Sequence, residues 1–126
     1  MSYVRTDCQT IALPGGVPLE VEVARAPEDL KRGLKFRPVL DTDGMLFLYP
    51  KSGFHQFTMY QTLVPLDMLW MDWRGVIVEI AENAQPHSAG KLYGGGKMSS
   101  YGLELPAGMV RKYGLKIGQT IGGLNG

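Results

Sequence analysis

Glycine and proline interrupt this chain so often that they favour many short strands over long helices. The 126 residues include 17 glycines and 8 prolines, spread along the whole sequence. Both favour turns, because glycine tolerates left-handed backbone and proline fixes φ and lacks an amide proton. The short runs between them are rich in apolar residues, as in short strands. The sequence therefore predicts one domain, residues 1–126, with an all-β, mainly antiparallel fold, either an open barrel or a β-sandwich with one or two short helices.

Seven to nine strands are expected from these runs. Residues 19–23 alternate between apolar residues and glutamates, which predicts a half-buried strand paired with 10–13. Residues 66–72 and 76–80 are apolar on both faces, which predicts a central hairpin covered on both sides. Further strands are predicted at 44–49, 101–105 and 119–121, and the strand at 54–59 is predicted to return along 44–49 after a turn at 50–53.

Two short helices and one long loop complete the prediction. Residues 27–33 begin with proline, continue with acids and bases, and end with glycine, in the order that a helix favours. Residues 109–113 predict one helical turn that ends at Gly114. Residues 81–100 are polar and contain a glycine triplet, so they predict a loop that is either functional or mobile.

Charge and cysteine content exclude several classes of function. The net charge is +1 and the basic residues are scattered, so neither nucleic acid binding nor membrane insertion is expected. A lone cysteine, Cys8, allows no intramolecular disulfide, and the two histidines show no metal-ligand spacing. We expect no metal and no cofactor. The chain is expected to be cytoplasmic, or exported if a signal peptide has been removed.

Two acids lie inside apolar strands. Asp67 is surrounded by the apolar residues of 63–71, and Glu104 lies between two leucines. A buried charge costs several kcal/mol unless it is paired or hydrogen-bonded. Each acid is therefore expected to accept hydrogen bonds from backbone amides or from Arg37 and to hold a loop in place. Arg37 is expected to form an internal ion pair, with Asp67 or Asp43 as its partner. The alternative is a pair of carboxylates that act as acid and base in one cleft.

Four short motifs occur in order along the chain. They are GLKFR at 33–37, DGMLF at 43–47, FTMYQTLVPLD at 57–67 and LELPAG at 103–108. Their order and spacing resemble DUF192, an uncharacterised bacterial and archaeal family, over about residues 19–121. The resemblance implies a compact, mainly β fold, often in exported proteins, and implies no reaction. Thr58, Tyr60 and Gln61 stand where the family usually has Trp, Lys and Asn.

Three functions follow as hypotheses. The first is a non-catalytic module that binds a small polar ligand, for example a carbohydrate, in a cleft lined by the polar residues of these motifs: Arg37, Thr58, Tyr60, Gln61, Asp67 and Glu104. The second is a hydrolase-type enzyme that uses Asp67 and Glu104 as acid and base. The third is a protein-interaction domain that uses Trp73, at a hairpin tip, together with the loop 81–100. The sequence leaves the ligand and the oligomeric state open.

Overall fold

A computed structural model describes residues 7–37, 41–88 and 90–124 of the chain. In these residues eight strands and two short helices follow one another. They are β1 (Cys8–Leu13), β2 (Val17–Ala24), α1 (Pro27–Arg32), β3 (Gly44–Gly53), β4 (Gln56–Thr58), β5 (Leu66–Met71), β6 (Ile77–Ala84), β7 (Leu92–Gly94), β8 (Ser99–Pro106) and α2 (Met109–Tyr113). The two short helices lie where the sequence predicted them.

Six strands form one mixed sheet in the order β1-β2-β3-β8-β5-β6, and β4 pairs with β7 in a separate small sheet. Strands β2 and β3 run parallel, while the other neighbours are antiparallel. A parallel pair needs a crossover connection, which here contains α1. The prediction of a mainly antiparallel, all-β, sandwich-like fold is confirmed.

The C-terminal segment connects the two edges of the large sheet. Gly122 and Ala12 of β1 exchange two backbone hydrogen bonds of 2.9 and 3.0 Å, and the Ile77 amide of β6 donates to the Gln119 carbonyl at 2.8 Å. The sheet therefore curls around its core, without closing into a barrel in the part of the chain that the structure describes. The strand predicted at 119–121 is present only as isolated bridges.

Each face of the large sheet has its own core, because side chains alternate along a strand. One face, called the Leu69 face, carries Leu46, Leu69, Leu103 and Leu105 against Val110 of α2. The other, called the Trp70 face, carries Met45, Phe47, Met68 and Trp70 against Phe57 of β4. All six residues of β5 are buried, as the apolar pattern predicted. The prediction is wrong for β6, which is an edge strand and only partly buried.

Two predicted irregular segments are strands instead. β3 continues through 50–53, where a turn was predicted, and β4 pairs with β7 rather than returning along β3. The prediction of one continuous loop over 81–100 is also wrong, because 81–84 belong to β6, 92–94 form β7 and 99–100 begin β8. Polar residues indicated a loop there, but the solvent-facing positions of an edge strand are polar as well.

Gly94, the first residue of the glycine triplet, packs against the core. A Cβ atom at this position would overlap the indole ring of Trp70, and its φ is +84°. We expect Gly94→Ala to lower the free energy of unfolding by about 2 kcal/mol, through overpacking and the cost of left-handed backbone. Gly90→Ala is the matched control, since Gly90 has φ +80° and no atom within 4 Å of its Cβ position. Urea unfolding measures both, and equal losses would contradict the packing argument.

Candidate ligand pocket between helix α1 and the large sheet

A pocket of about 170 Å³ opens between α1, β4 and the Trp70 face of the large sheet. The end of α1 and the turn after it form one wall, and β4 forms another. Gly33 ends α1 at φ +51°, and its Cβ position lies 3.5 Å from the Phe47 ring and 3.7 Å from Oε1 of Glu104. This left-handed turn brings the chain close over Glu104.

Glu104 is one of the buried polar residues that line this pocket. It pairs with Met45 on one side and Met68 on the other, and only 4% of its surface is exposed. Among the described residues, no donor forms a hydrogen bond with its carboxyl group. Burial raises the pKa of Glu104 to about 8, although the positive charge of Lys35 lowers it in part. At neutral pH the carboxyl group of Glu104 is therefore mostly protonated and can donate a hydrogen bond.

The rim of the pocket is held together by backbone pairing between two short segments. Lys35 bridges to Thr62, and the amide of Phe36 donates to the carbonyl of Gln61 at 2.9 Å. Phe36 and Gln61 have φ values of +63° and +61°. Left-handed backbone at such residues costs on the order of 1–3 kcal/mol each and is often found at functional sites.

Asp67 lies on the Leu69 face, opposite to Glu104, because it directly precedes Met68. Its Oδ1 accepts a hydrogen bond from the Asn83 amide at 2.8 Å, and its Oδ2 accepts from the amides of Gly108 and Val110 at 3.0 and 2.9 Å. Gly108 is the N-cap of α2 and has no side chain that could cap the helix, so Asp67 does so from β5. This is the structural role that the apolar run predicted.

The two acids therefore do not form a pair. Glu104 lines the pocket near α1, whereas Asp67 lines a separate open cleft beside Gly108. The two carboxyl groups lie on opposite faces of the large sheet, so they do not form the acid and base arrangement of the hydrolase hypothesis. Alternation in the strands is the physical reason, because the cross-strand partner of Asp67 is Leu105 and not Glu104.

Arg37 also lies outside the pocket. Its guanidinium forms two contacts with the carboxylate of Glu22, with Nη1–Oε1 at 3.0 Å and Nη2–Oε2 at 2.8 Å, and a third with Asp41 at 3.2 Å. The expected internal ion pair is present, but the predicted partners, Asp67 and Asp43, are wrong. Glu22 lies in β2, whose alternating pattern suggested that its glutamates face solvent.

A model of the DUF192 family, described as an uncharacterized ACR, matches residues 10–123. The chain belongs to the DUF192 family. A solved structure from Sinorhizobium meliloti 1021, described as a "putative transcription regulator", shares 32% identity at a TM-score of 0.86, over 95% of this chain and 96% of that one. A protein of unknown function from Novosphingobium aromaticivorans DSM 12444 shares 28% identity at a TM-score of 0.75, over 89% and 81%. No curated protein matches the chain significantly.

In this DUF192 chain, two of the six predicted ligand residues, Thr58 and Glu104, line the same pocket. Tyr60 is half exposed and its amide donates to Oγ1 of Thr58 at 3.1 Å, while Gln61 contributes its carbonyl to Phe36. Among the described residues, five polar lining residues were missed by the sequence analysis: Lys31, Arg32, Lys35, Gln56 and Thr62. Lys35 and Thr62 lie inside the motifs that carry the family resemblance, which is the signal that could have found them.

Trp73 lies at the tip of the β5–β6 hairpin and is 75% exposed. Asp72 orders this tip, because its Oδ1 accepts hydrogen bonds from the amides of Arg74 and Val76 at 2.9 and 3.1 Å. The hollow beside Trp73 is lined by Tyr101 and the C-terminal segment and by no residue of 81–100. The two parts of the interaction hypothesis are thus not brought together in this hollow.

Within 7–37, 41–88 and 90–124, no group of three or more His, Cys, Asp or Glu side chains is placed to hold a metal ion. Neither helix in these ranges is long and apolar enough to span a membrane. His55 stacks on Tyr49 with 3.7 Å between ring centroids, and its Nε2 lies 2.8 Å from the Lys51 carbonyl oxygen.

Proposed function

We propose that this chain is a non-catalytic binding domain for a small polar ligand, which it holds in the pocket above Glu104. The buried carboxyl group of Glu104 carries the proposal, because it lines a pocket and receives no hydrogen bond from any described residue. A buried polar group without a partner costs about 1–3 kcal/mol. A ligand that supplies the missing partner would remove this cost on binding.

The size and lining of the pocket limit the size and the chemistry of the ligands that it can bind. Its volume of about 170 Å³ is close to the roughly 150 Å³ of a cavity that holds one benzene molecule. The buried part of the ligand is therefore no larger than about one six-membered ring, such as a single sugar unit. Polar lining residues, among them Lys35, Gln56 and Thr58, favour a ligand with hydrogen-bonding groups.

The same lining supports binding rather than catalysis. Among the described residues, this lining contains one acid, Glu104, and neither histidine nor cysteine. A hydroxyl nucleophile such as Thr58 would need an adjacent base and a group that orients the base. The description of the Sinorhizobium protein as a regulator concerns that protein. With a net charge of +1, this chain offers no electrostatic reason to propose nucleic acid binding.

An NMR titration tests the proposal. The amide spectrum of the ¹⁵N-labelled chain is recorded with millimolar monosaccharides, polyols, amino acids, amides and short carboxylic acids. We expect at least one compound to shift signals confined to 31–35, 56–58, 62 and 104. Thr58→Val should weaken the binding of that compound about fivefold, since one hydrogen bond contributes about 1 kcal/mol. Thr10→Val, on the exposed part of β1, is the matched control and should leave the affinity unchanged.

The titration also defines failure. If no compound shifts the signals of the pocket, or if the shifts cluster elsewhere on the chain, the proposed function is wrong. A variant pair in which Thr10→Val weakens binding as much as Thr58→Val would equally contradict the pocket as the site. Because the Thr58 hydroxyl also accepts the Tyr60 amide, urea unfolding of both variants is used to confirm that they remain folded.

A further inference from the structure

Resting on the proposed binding function, we propose that the ligand group seated in this pocket is the carboxylate of a small organic acid, which accepts a hydrogen bond from Glu104 and pairs with Lys35. The juxtaposition that supports this is a buried carboxyl group and a cationic rim around one small cavity. The ligand class is thus deduced from the charges that line the cavity.

The rim of the pocket is positively charged. Lys31, Arg32 and Lys35 all line it, from the last turn of α1 and the turn that follows, and Glu104 is the only acid among the described lining residues. Arg32 donates to the carboxylate of Asp29 at 2.9 Å, whereas Nζ of Lys35 donates to the neutral carbonyl of Lys31 at 2.9 Å. Such a rim attracts an anion and opposes the entry of an ammonium group.

An anion can sit beside Glu104 only if that carboxyl group carries a proton. The surroundings favour the protonated form, because Met45, Met68 and Phe47 exclude water from it, and burial raises the pKa of Glu104 to about 8. The charged and titratable groups that face it are Lys35, Lys31 and Arg32 at the rim and the hydroxyl of Tyr49. The pKa of Tyr49 is itself raised by burial and by the charge of Glu104. A hydrogen bond from a carboxylic acid to a carboxylate is short and strong.

A carboxylate fits this arrangement better than a phosphate does. Phosphate groups are usually bound by several backbone amides or by a free arginine fork. In this pocket the arginine is already paired with Asp29, and the lining comes from the C-terminal end of α1. One acid hydroxyl and one ammonium group together match the two oxygens of a planar carboxylate.

Acetate and its neutral isostere acetamide provide the test, with propionate and propionamide as a second pair. Binding is followed by amide shifts in the wild type, and the Glu104 carboxyl carbon is titrated with and without acetate. We expect acetate to bind more tightly than acetamide, with an affinity that is constant from pH 5.5 to 7 and about tenfold lower at pH 9. By reciprocity, acetate should raise the pKa of Glu104.

Three variants separate the contributions. Glu104→Gln should abolish the loss of affinity between pH 7 and pH 9, because glutamine does not titrate. Lys35→Met should lower the affinity for acetate at least fivefold, and that affinity should still fall between pH 7 and pH 9. Lys116→Met, an exposed lysine outside the pocket, is the matched control and should behave as the wild type.

The outcomes distinguish the two proposals. If acetamide or a monosaccharide binds in the pocket and acetate does not, or if the pH dependence persists in Glu104→Gln, the carboxylate inference is wrong and the polar-ligand pocket stands. If none of the compounds perturbs the residues of the pocket, both proposals are wrong.

Discussion

Replacing Asp67 with alanine is expected to lower the free energy of unfolding by about 4 kcal/mol, although Asp67 does not line the proposed ligand pocket. The carboxylate accepts hydrogen bonds from the amides of Asn83, Gly108 and Val110, and the residue is 1% exposed. Each amide left without a partner costs about 1–3 kcal/mol, less where water can replace the carboxylate. The loss also removes the cap of α2, which its own N-cap glycine does not supply.

Urea unfolding at pH 7 measures this effect, and two further variants calibrate it. Asp72→Ala is the matched control, since Asp72 also accepts two backbone amides but lies at the hairpin tip, where water can replace it. Its loss should be about 1 kcal/mol. Asp67→Asn should fall between the two, because its amide group retains a single acceptor oxygen. A loss for Asp67→Ala no larger than that for Asp72→Ala would show that the buried network contributes little.

Glu104 is expected to make the stability of this protein depend strongly on pH. Its pKa is about 8 in the fold, against an ordinary value of 4.5. Between these values the native state keeps the proton that the unfolded chain has released, so each pH unit lowers the free energy of unfolding by up to about 1.4 kcal/mol. Below pH 4.5 both states are protonated, and above pH 8 both are ionised, so the effect levels off. The full loss is on the order of 5 kcal/mol.

The isosteric variant Glu104→Gln isolates this contribution, because glutamine does not titrate and the other groups of the chain cancel in the difference. We expect the free energy of unfolding of the variant, relative to that of the wild type, to rise steadily from pH 5 to pH 8 and to stay at the higher value at pH 9. Glu82→Gln, which replaces an exposed acid on β6, should show no such trend. Urea unfolding at each pH gives the curves, and parallel curves for Glu104→Gln and the wild type would overturn the assignment.

The sequence patterns that predicted the fold correctly are those that depend on residues close together along the chain. Pro27, the acids and bases after it and Gly33 gave α1 within one residue, because capping and dipole effects act within a turn. The apolar residues of 66–71 gave a strand buried on both faces. Local patterns do not show which strands pair with each other. For this reason the predictions that β6 is central and that β4 pairs with β3 are wrong. Strand order depends on contacts between residues far apart in sequence.

For the candidate site, the sequence also identified individual residues but not how the fold brings them together. Glu104 is a candidate because an acid inside an apolar strand needs a partner, and Thr58 is one because it is a polar residue of the family motifs. The structure places both in one pocket. Asp67 is a candidate by the first argument and Arg37 by the second, yet both have partners within the fold, three backbone amides for Asp67 and Glu22 for Arg37. A sequence shows that a buried polar or charged group needs a hydrogen-bonding or charged partner, but it does not show whether the protein or a ligand supplies that partner.

The sequence by itself determined a glycine-punctuated, mainly β domain, its two short helices, its DUF192 membership and the demand for partners at Asp67 and Glu104. Only the tertiary structure decided that these two acids lie on opposite faces of one sheet. The physical reason is register, because a shift of one residue between β5 and β8 would move every side chain of a strand to the other face. In the observed register Asp67 stands opposite Leu105, which directs Glu104 to the pocket beneath α1 and Asp67 to the amides of α2.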